Sequence, residues 1–389
     1  MSKLEELINE FCPEGVEYKK LGEITIWNKK FQNCNIKQTK FNEYKSISAN
    51  ELKKLFSKTG DVKLLSTGQN DGFANSYDLE EYYEDEILTI PTGGMANVKY
   101  WNGKFIQALN LVAISFDRNI YSIKFIYYYL ISNIKDVEKC FKGSSIKHPD
   151  MNDILNILIP IPPLPIQNKI VEILDHWTEL EKELEKELEK SIEQYHHYRN
   201  KLLDFNNIDN IEYKKLGEVC EIDKGKQLNK ELLSKEKSDE FPYPVLNGGI
   251  NPSGYWNEFN CNENTITINQ GGSAGYVKWN DVKFWSSSHC YSISRCNNEV
   301  KIKFIYYFLK NKQSFLMNIK FGTTIPSISK TDIESLPIPI PPLPIQNKIV
   351  EILDKFSNLV DNLNDGLPKE IELRQKQYKY YLNKLLSFK

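Results

Sequence analysis

The chain has 389 residues, enough for two domains with sizeable cores, and its 40% hydrophobic, 26% charged and 12% aromatic composition excludes a disordered or fibrous protein. Its net charge of −2 carries no global footprint of nucleic-acid binding, yet the total hides asymmetry: residues 29–58 hold eight lysines against Glu43 and Glu51, while 179–190 hold six glutamates and three lysines. The longest apolar stretch, 154–166, is broken by four prolines and too short to span a bilayer, and seven cysteines without a CxxC pair predict reduced, mostly packed thiols in a cytoplasmic protein.

In chain order, MSKLEELINEF at the N-terminus reads as a charged amphipathic helix rather than a signal peptide, and EYKKLGE at 17–23 as a strand. Short strands and turns follow through residue 92, with a turn at GQNDG 68–72. IKFIYYYL at 123–130 reads as a core helix rather than a base-stacking platform, and GSSI at 143–146 as a loop. The box IPIPPLPIQNKIVEILD at 159–175 holds an extended exit from the lobe, with Pro165 suited to the first turn of the next helix. From Ile166, apolar residues recur at 170, 173, 177, 180, 184, 188, 192, 195, 198 and 202, a seam along about 39 residues or roughly 58 Å of helix. Inside it lie three tandem ELEK units, Glu179–Lys182, Glu183–Lys186 and Glu187–Lys190, each expected to pair its leading Glu with the Lys three residues on.

The same series then returns. The box 159–175 recurs unchanged at 338–354, 179 residues later, and around it EYKKLGE returns at 212–218, IKFIYYFL at 302–309, GTTI at 322–325 and NKLL (200–203) at 383–386. The loops diverge, since 24–92 and 219–270 share little beyond isolated glycines. The second helix carries a similar seam but must be interrupted at Gly366 and Pro368. The predicted fold is α+β: a tandem duplication of two mixed α/β lobes separated by two long antiparallel coiled-coil helices with pseudo-twofold symmetry. The segments are 1–158 for the first lobe, 159–204 for the first box and helix, 205–337 for the second lobe, and 338–389 for the second box and helix.

The sequence holds no Walker A loop, GxGxxG or HExxH. Asn251-Pro-Ser-Gly-Tyr255 reads as a surface turn, the next Glu-x-Lys after Pro149-Asp150 is Glu212–Lys214, across a linker and inside the repeated frame, and His196-His197 read as solvent or interface residues rather than metal ligands.

Two variable lobes, each followed by PIPPLPIQNKIVEIL and a long helix ending YxxYRNKLL (195–203) or YxxYLNKLL (378–386), resemble the DNA specificity subunit of type I restriction-modification enzymes. The resemblance covers essentially the whole chain. It implies two target recognition domains reading the halves of a bipartite asymmetric site in double-stranded DNA, and helices that dock two methyltransferase subunits and, through them, the restriction and motor subunits. It further implies a non-catalytic chain without cofactors of its own, S-adenosylmethionine, ATP and Mg being expected on the partners, and ELEK units acting as a spacer ruler. A duplicated protein-interaction scaffold without nucleic acid is the rival reading; a fused restriction enzyme acting alone would need the missing motifs.

Reading DNA requires Arg, Asn, Gln or Lys at base edges and Lys, Ser or Thr at phosphates. The candidates in lobe 1 are Lys29, Lys30, Gln32, Lys37, Lys40, Gln69, Asn70, Lys99, Ser144, Ser145 and Lys147. In lobe 2 they are Lys224, Lys226, Gln227, Asn247, Gln270, Lys278, Ser287, His289, Thr323, Thr324 and Ser327; no metal ligands are expected.

Overall fold

The computed structural model describes residues 12, 15–31, 34–36, 43–68, 71–206, 211–318, 327–361 and 366–388, so the N-terminal segment 1–11 lies outside the described residues. The chain forms two compact units, Met1–Glu183 with Glu372–Lys389, and Leu184–Ile371. Each therefore comprises a lobe, the first part of the helix leaving it and the last part of the other copy's helix.

Unit 1 is built on a seven-stranded mixed sheet whose path runs Thr25–Trp27, Asn110–Ser115, Tyr83–Pro91, Lys99–Ala108, Val62–Leu65 and Gly72–Ala74, with Ser46–Ile47 added in parallel to Lys99–Ala108. Unit 2 repeats the frame as a four-stranded antiparallel sheet, Cys220–Lys224, Cys290–Cys296, Thr265–Asn269 and Val277–Asn280, beside a three-stranded sheet of Gly254–Trp256, Tyr243–Leu246 and Trp285–Ser286. The helices Ile123–Ser132 and Ile302–Asn311 pack as core, burying Phe125, Ile126 and Tyr128, and Phe304, Ile305 and Tyr307.

The repeated EYKKLGE segment is not one strand. Its YKK portion pairs antiparallel with the proline box, Lys19 opposite Ile159 and Lys214 opposite Ile338, and its LGE portion turns into a one-turn helix. A lobe is thus closed by pairing its first strand with its last.

The box owes its rigidity to a buried glutamine. Gln167, fully buried, accepts from Ser122 N–H at 2.9 Å and donates to Ile120 O at 2.8 Å and Pro162 O at 2.7 Å. Gln346, equally buried, accepts from Lys301 N–H at 2.8 Å and donates to Glu299 O at 2.8 Å and Pro341 O at 2.7 Å. One residue type in one position thereby ties the proline exit to the start of the core helix. A second tie follows: Asp175 accepts from Tyr128 at 2.6 Å and Lys124 at 2.7 Å, and Asp354 accepts from Tyr307 at 2.5 Å with Lys303 at 3.6 Å.

The first long helix runs Leu164–Leu202, with Pro165 in its first turn. The second segment divides into Leu343–Asp361 and Leu367–Leu386 on either side of the region containing Gly366, and Pro368 lies in the first turn of the later helix. Within unit 1, Trp177 stacks on Tyr381 at 5.2 Å; within unit 2, Tyr198 stacks on Phe356 at 5.2 Å. Leu180, Leu184 and Leu188 are half-buried, as a seam requires. The expected Glu–Lys pairs of the ELEK units do not form: those charges are extended into solvent, where an ion pair gains little, and the helix closes Lys169–Glu172 instead.

The cysteine expectation also needs correction. Cys220 and Cys296 face each other on paired strands, Cα atoms 4.0 Å apart, and are joined as a disulfide, because strand register brings together residues 76 apart in sequence. Cys12, Cys34, Cys140, Cys261 and Cys290 are not disulfide-bonded. Among the described residues no helix is long and apolar enough to cross a membrane.

Candidate nucleic-acid interface

In lobe 2 the strand ladder sets Asn269 opposite Cys290 and Lys224 opposite Tyr291, so that the loops leaving these strands meet at one end. Backbone bonds then tie them together. Gly225 N–H donates to Cys290 O at 3.0 Å, Lys226 N–H to Ser286 O at 2.9 Å, Ser287 N–H to Leu246 O at 2.9 Å and Gln270 N–H to His289 O at 2.8 Å. Ser273 N–H reaches Gly248 O at 2.9 Å, and Ile328 N–H reaches Gln270 O at 3.0 Å, adding the segment that carries Ser327. Gln227 meets the Ser288 hydroxyl. A Cβ on Gly225 would lie 2.2 Å from Ser287 O, so only glycine permits this approach.

Cys290 is the buried pin of the cluster. Its sulfur accepts from Gly248 N–H at 3.3 Å and lies within 3.5 Å of Asn269 Oδ1, and burial pushes its thiol pKa up to about 11, keeping it protonated and inert. Around it Lys224, Lys226, Gln227, His289 and Ser327 are exposed, Asn247 and Gln270 half-buried, and Ser287 buried. The Asn247 Oδ1 atom is buried without a hydrogen-bond partner. Lys278, opposite Thr267 within the ladder, stands apart from this cluster, and Thr323 and Thr324 lie outside the described residues.

Lobe 1 repeats the arrangement with other side chains. Asn28 N–H donates to Val112 O at 2.9 Å and its Oδ1 accepts from Val112 N–H at 3.1 Å, which sets exposed Lys29 and Lys30 beside the 109–112 strand start. Thr92 N–H donates to Leu109 O at 3.0 Å, and Gly94 N–H to Lys147 O at 2.8 Å. His148 Nδ1 meets Thr92 O at 2.8 Å, so the hairpin loop bearing exposed Ser144, Ser145 and Lys147 joins the same end. The buried Asn110 amide donates to Leu65 O at 3.0 Å and Ala108 O at 3.0 Å, tying in the strand that leads to the 66–71 loop. Lys99 serves that loop internally: its ammonium is held by Asp71 at 2.5 Å and Ser66 O at 2.8 Å, both charged side chains largely shielded from solvent. Gln32, Lys37, Lys40, Gln69 and Asn70 lie outside the described residues.

A further repeat was missed in the sequence. TIPTGGMANVKYWN at 89–102 and TINQGGSAGYVKWN at 267–280 share TI, GG, A and WN in one spacing, displaced by 178 residues rather than 179. The shared Gly94 and Gly272 both have positive φ, 101° and 66°, which the turn requires. The motif makes Thr92 equivalent to Gln270 and Met95 to Ser273, and the matched bonds Thr92 to Leu109 and Gln270 to His289 make Leu109 equivalent to His289. A constant backbone frame with exchangeable side chains can present different hydrogen-bonding or apolar patterns to a duplex, and the exposed lysines around it suit phosphates.

Comparison with known proteins agrees with this architecture. Residues 13–194 and 208–373 both match the family described as type I restriction modification DNA specificity domain. The chain is 30% identical over 307 residues to the EcoR124I/EcoR124II specificity subunit of Escherichia coli, covering 72% of this chain and 74% of that one. It is 32% identical over 242 residues to a Mycoplasma pneumoniae protein named as a type I specificity subunit, covering 60% of this chain and 94% of that one. The fold matches the crystal structure of a type I restriction-modification S subunit from M. genitalium, with a TM-score of 0.68 at 19% identity over 96% of each chain. The chain belongs to the family of DNA specificity subunits of type I restriction-modification systems.

Proposed function

We propose that each lobe reads one half of a bipartite, asymmetric double-stranded DNA site through the loop end described above, in the cytoplasm, as the non-catalytic subunit of a multisubunit enzyme. The observation that carries this reading is the matched pair of loop clusters, one backbone frame holding Leu109, Thr92 and Met95 in lobe 1 and His289, Gln270 and Ser273 in lobe 2. A molecule that reads one repeated sequence twice would keep the side chains; one that reads two sequences keeps the frame and changes them. The exposed Lys29, Lys30, Lys147, Lys224 and Lys226 support phosphate contacts on both lobes.

The duplicated helices offer two similar docking surfaces, which supports assembly with two methyltransferase subunits and, through these, restriction and motor subunits. S-adenosylmethionine, ATP and Mg belong to those partners in this reading. The test is to replace residues 219–335 with the corresponding lobe of a relative and sequence the methylome. One half of the methylated motif should change while the other persists; a change in both halves, or methylation by the purified chain alone, would refute the assignment.

A further inference from the structure

The loop end of lobe 1 holds three large apolar side chains in solvent: Met95 is 83% exposed, Ile146 63% and Leu109 49%. They sit on segments drawn together by the bonds of Thr92 to Leu109 and of Gly94 to Lys147. Leu109 adopts φ 55°, a left-handed conformation that bulky residues rarely take and that Asn or Gly would adopt with less strain. Its backbone is clamped on both sides, the N–H donating to Ser46 Oγ at 2.8 Å and the carbonyl accepting from the Thr92 hydroxyl at 2.8 Å. The fold thus holds a leucine side chain out in water against its local preference, which points to use of that side chain. Exposed Lys29, Lys30 and Lys147 share this end of the lobe. In lobe 2 the equivalents of Leu109 and Met95 are His289 and Ser273, both polar, while Ile146 returns as Ile325, outside the described residues.

We propose that Leu109, Met95 and Ile146 form an apolar reading patch that packs on thymine 5-methyl groups in the half-site bound by lobe 1, where lobe 2 has polar His289 and Ser273 in place of two of the three. The inference rests on the DNA-recognition reading above. On a duplex the phosphates and nearly all groove-facing base atoms are polar, and the thymine methyl is the apolar feature of the major groove. Lysines at the margin hold phosphates and set the register in which the patch meets that groove.

The experiment uses the full chain assembled with its methyltransferase, on duplexes carrying the motif found by methylome sequencing, with halves assigned by the lobe exchange. Each thymine of the lobe 1 half-site is replaced in turn by uracil, which pairs identically but lacks the methyl. Binding should weaken about fourfold at one or more of these positions, the worth of one buried methyl-sized group. A Met95→Ala/Leu109→Asn/Ile146→Ala variant should bind the thymine duplex more weakly and no longer distinguish it from uracil. Asn suits the left-handed backbone, so an undiminished melting temperature separates lost contact from lost folding. Binding of the motif without thymine-to-uracil discrimination in that half, or discrimination that survives in the triple variant, overturns the patch. Failure of the assembled complex to prefer its own motif over a scrambled duplex overturns the recognition reading itself.

Discussion

Replacing Gln346 with leucine tests whether the buried glutamine, rather than the prolines around it, secures the second box. The side chain is fully buried and satisfies three backbone groups, Lys301 N–H, Glu299 O and Pro341 O, at 2.7–2.8 Å. Leucine has a similar volume but leaves all three unpaired. The first two are partly reachable by water and lose about 1 kcal/mol each, while the buried Pro341 carbonyl loses about 1–3 kcal/mol. Better transfer of the apolar side chain returns about 1 kcal/mol, so the net loss should be about 3 kcal/mol. For a unit of this size that lowers its melting temperature by about 6–12 °C. Scanning calorimetry gives the shift, and hydrogen exchange should show protection lost first at the start of Ile302–Asn311, where Lys301 N–H is released. Lys348→Ala, on the same helix but exposed, is the control and should cost less than about 0.5 kcal/mol. A loss for Gln346→Leu below about 1 kcal/mol, or one no larger than the control, would refute the lock.

Other outcomes follow from the same geometry. Gly225→Ala forces a Cβ to within 2.2 Å of Ser287 O, so the lobe 2 loops must shift, and motif specificity should be lost in one half-site at a stability cost of about 1–3 kcal/mol; full specificity of both halves in a methylome would contradict it. Stability should fall from about pH 9 to beyond pH 11, because burial raises the Cys290 thiol from 9.0 to about 11 and raises the Tyr307 and Tyr128 phenols above their ordinary values, with Asp354 and Asp175 adding to it. The sign is that of groups protonated longer when folded: the unfolded chain binds fewer protons in this window, so the contribution is complete below the unfolded pKa and lost through the folded one. Urea melts at pH 8, 10 and 11 should show it, Cys290→Ala should remove about 2 kcal/mol of the fall, and flat stability would speak against it. Deleting one ELEK unit, residues 183–186, removes about 6 Å of helix and should shorten the non-specific spacer of the methylated motif by one or two base pairs with both half-site sequences intact; an unchanged spacer with full activity reduces the run to a solvated helix face.

Much of the molecule is legible in the sequence because its signals are local or repeated. The unchanged box at 159–175 and 338–354 announces a duplication, the three- and four-residue apolar spacing announces the long helices, and Gly366 with Pro368 marks the break in the second. Glycine-marked turns and polar loops single out Lys224, Lys226, Gln227, Asn247, Gln270, Ser287, His289 and Ser327 as candidates, and the fold carries them on one connected set of loops. What the tertiary structure decided depends on partners far along the chain. The YKK strands close on the proline boxes 140 and 124 residues later, as for Lys19 with Ile159 and Lys214 with Ile338, and no local pattern names such a partner. Cross-strand register likewise joins Cys220 to Cys296, and turns Lys99 from a candidate phosphate contact into the holder of Asp71. Leu109, Met95 and Ile146 look like ordinary core residues by type, and only the backbone clamp on Leu109 and the exposure of all three set them outside the core. Periodicity encodes which face an element buries; it does not encode which distant backbone group will hold that face in place.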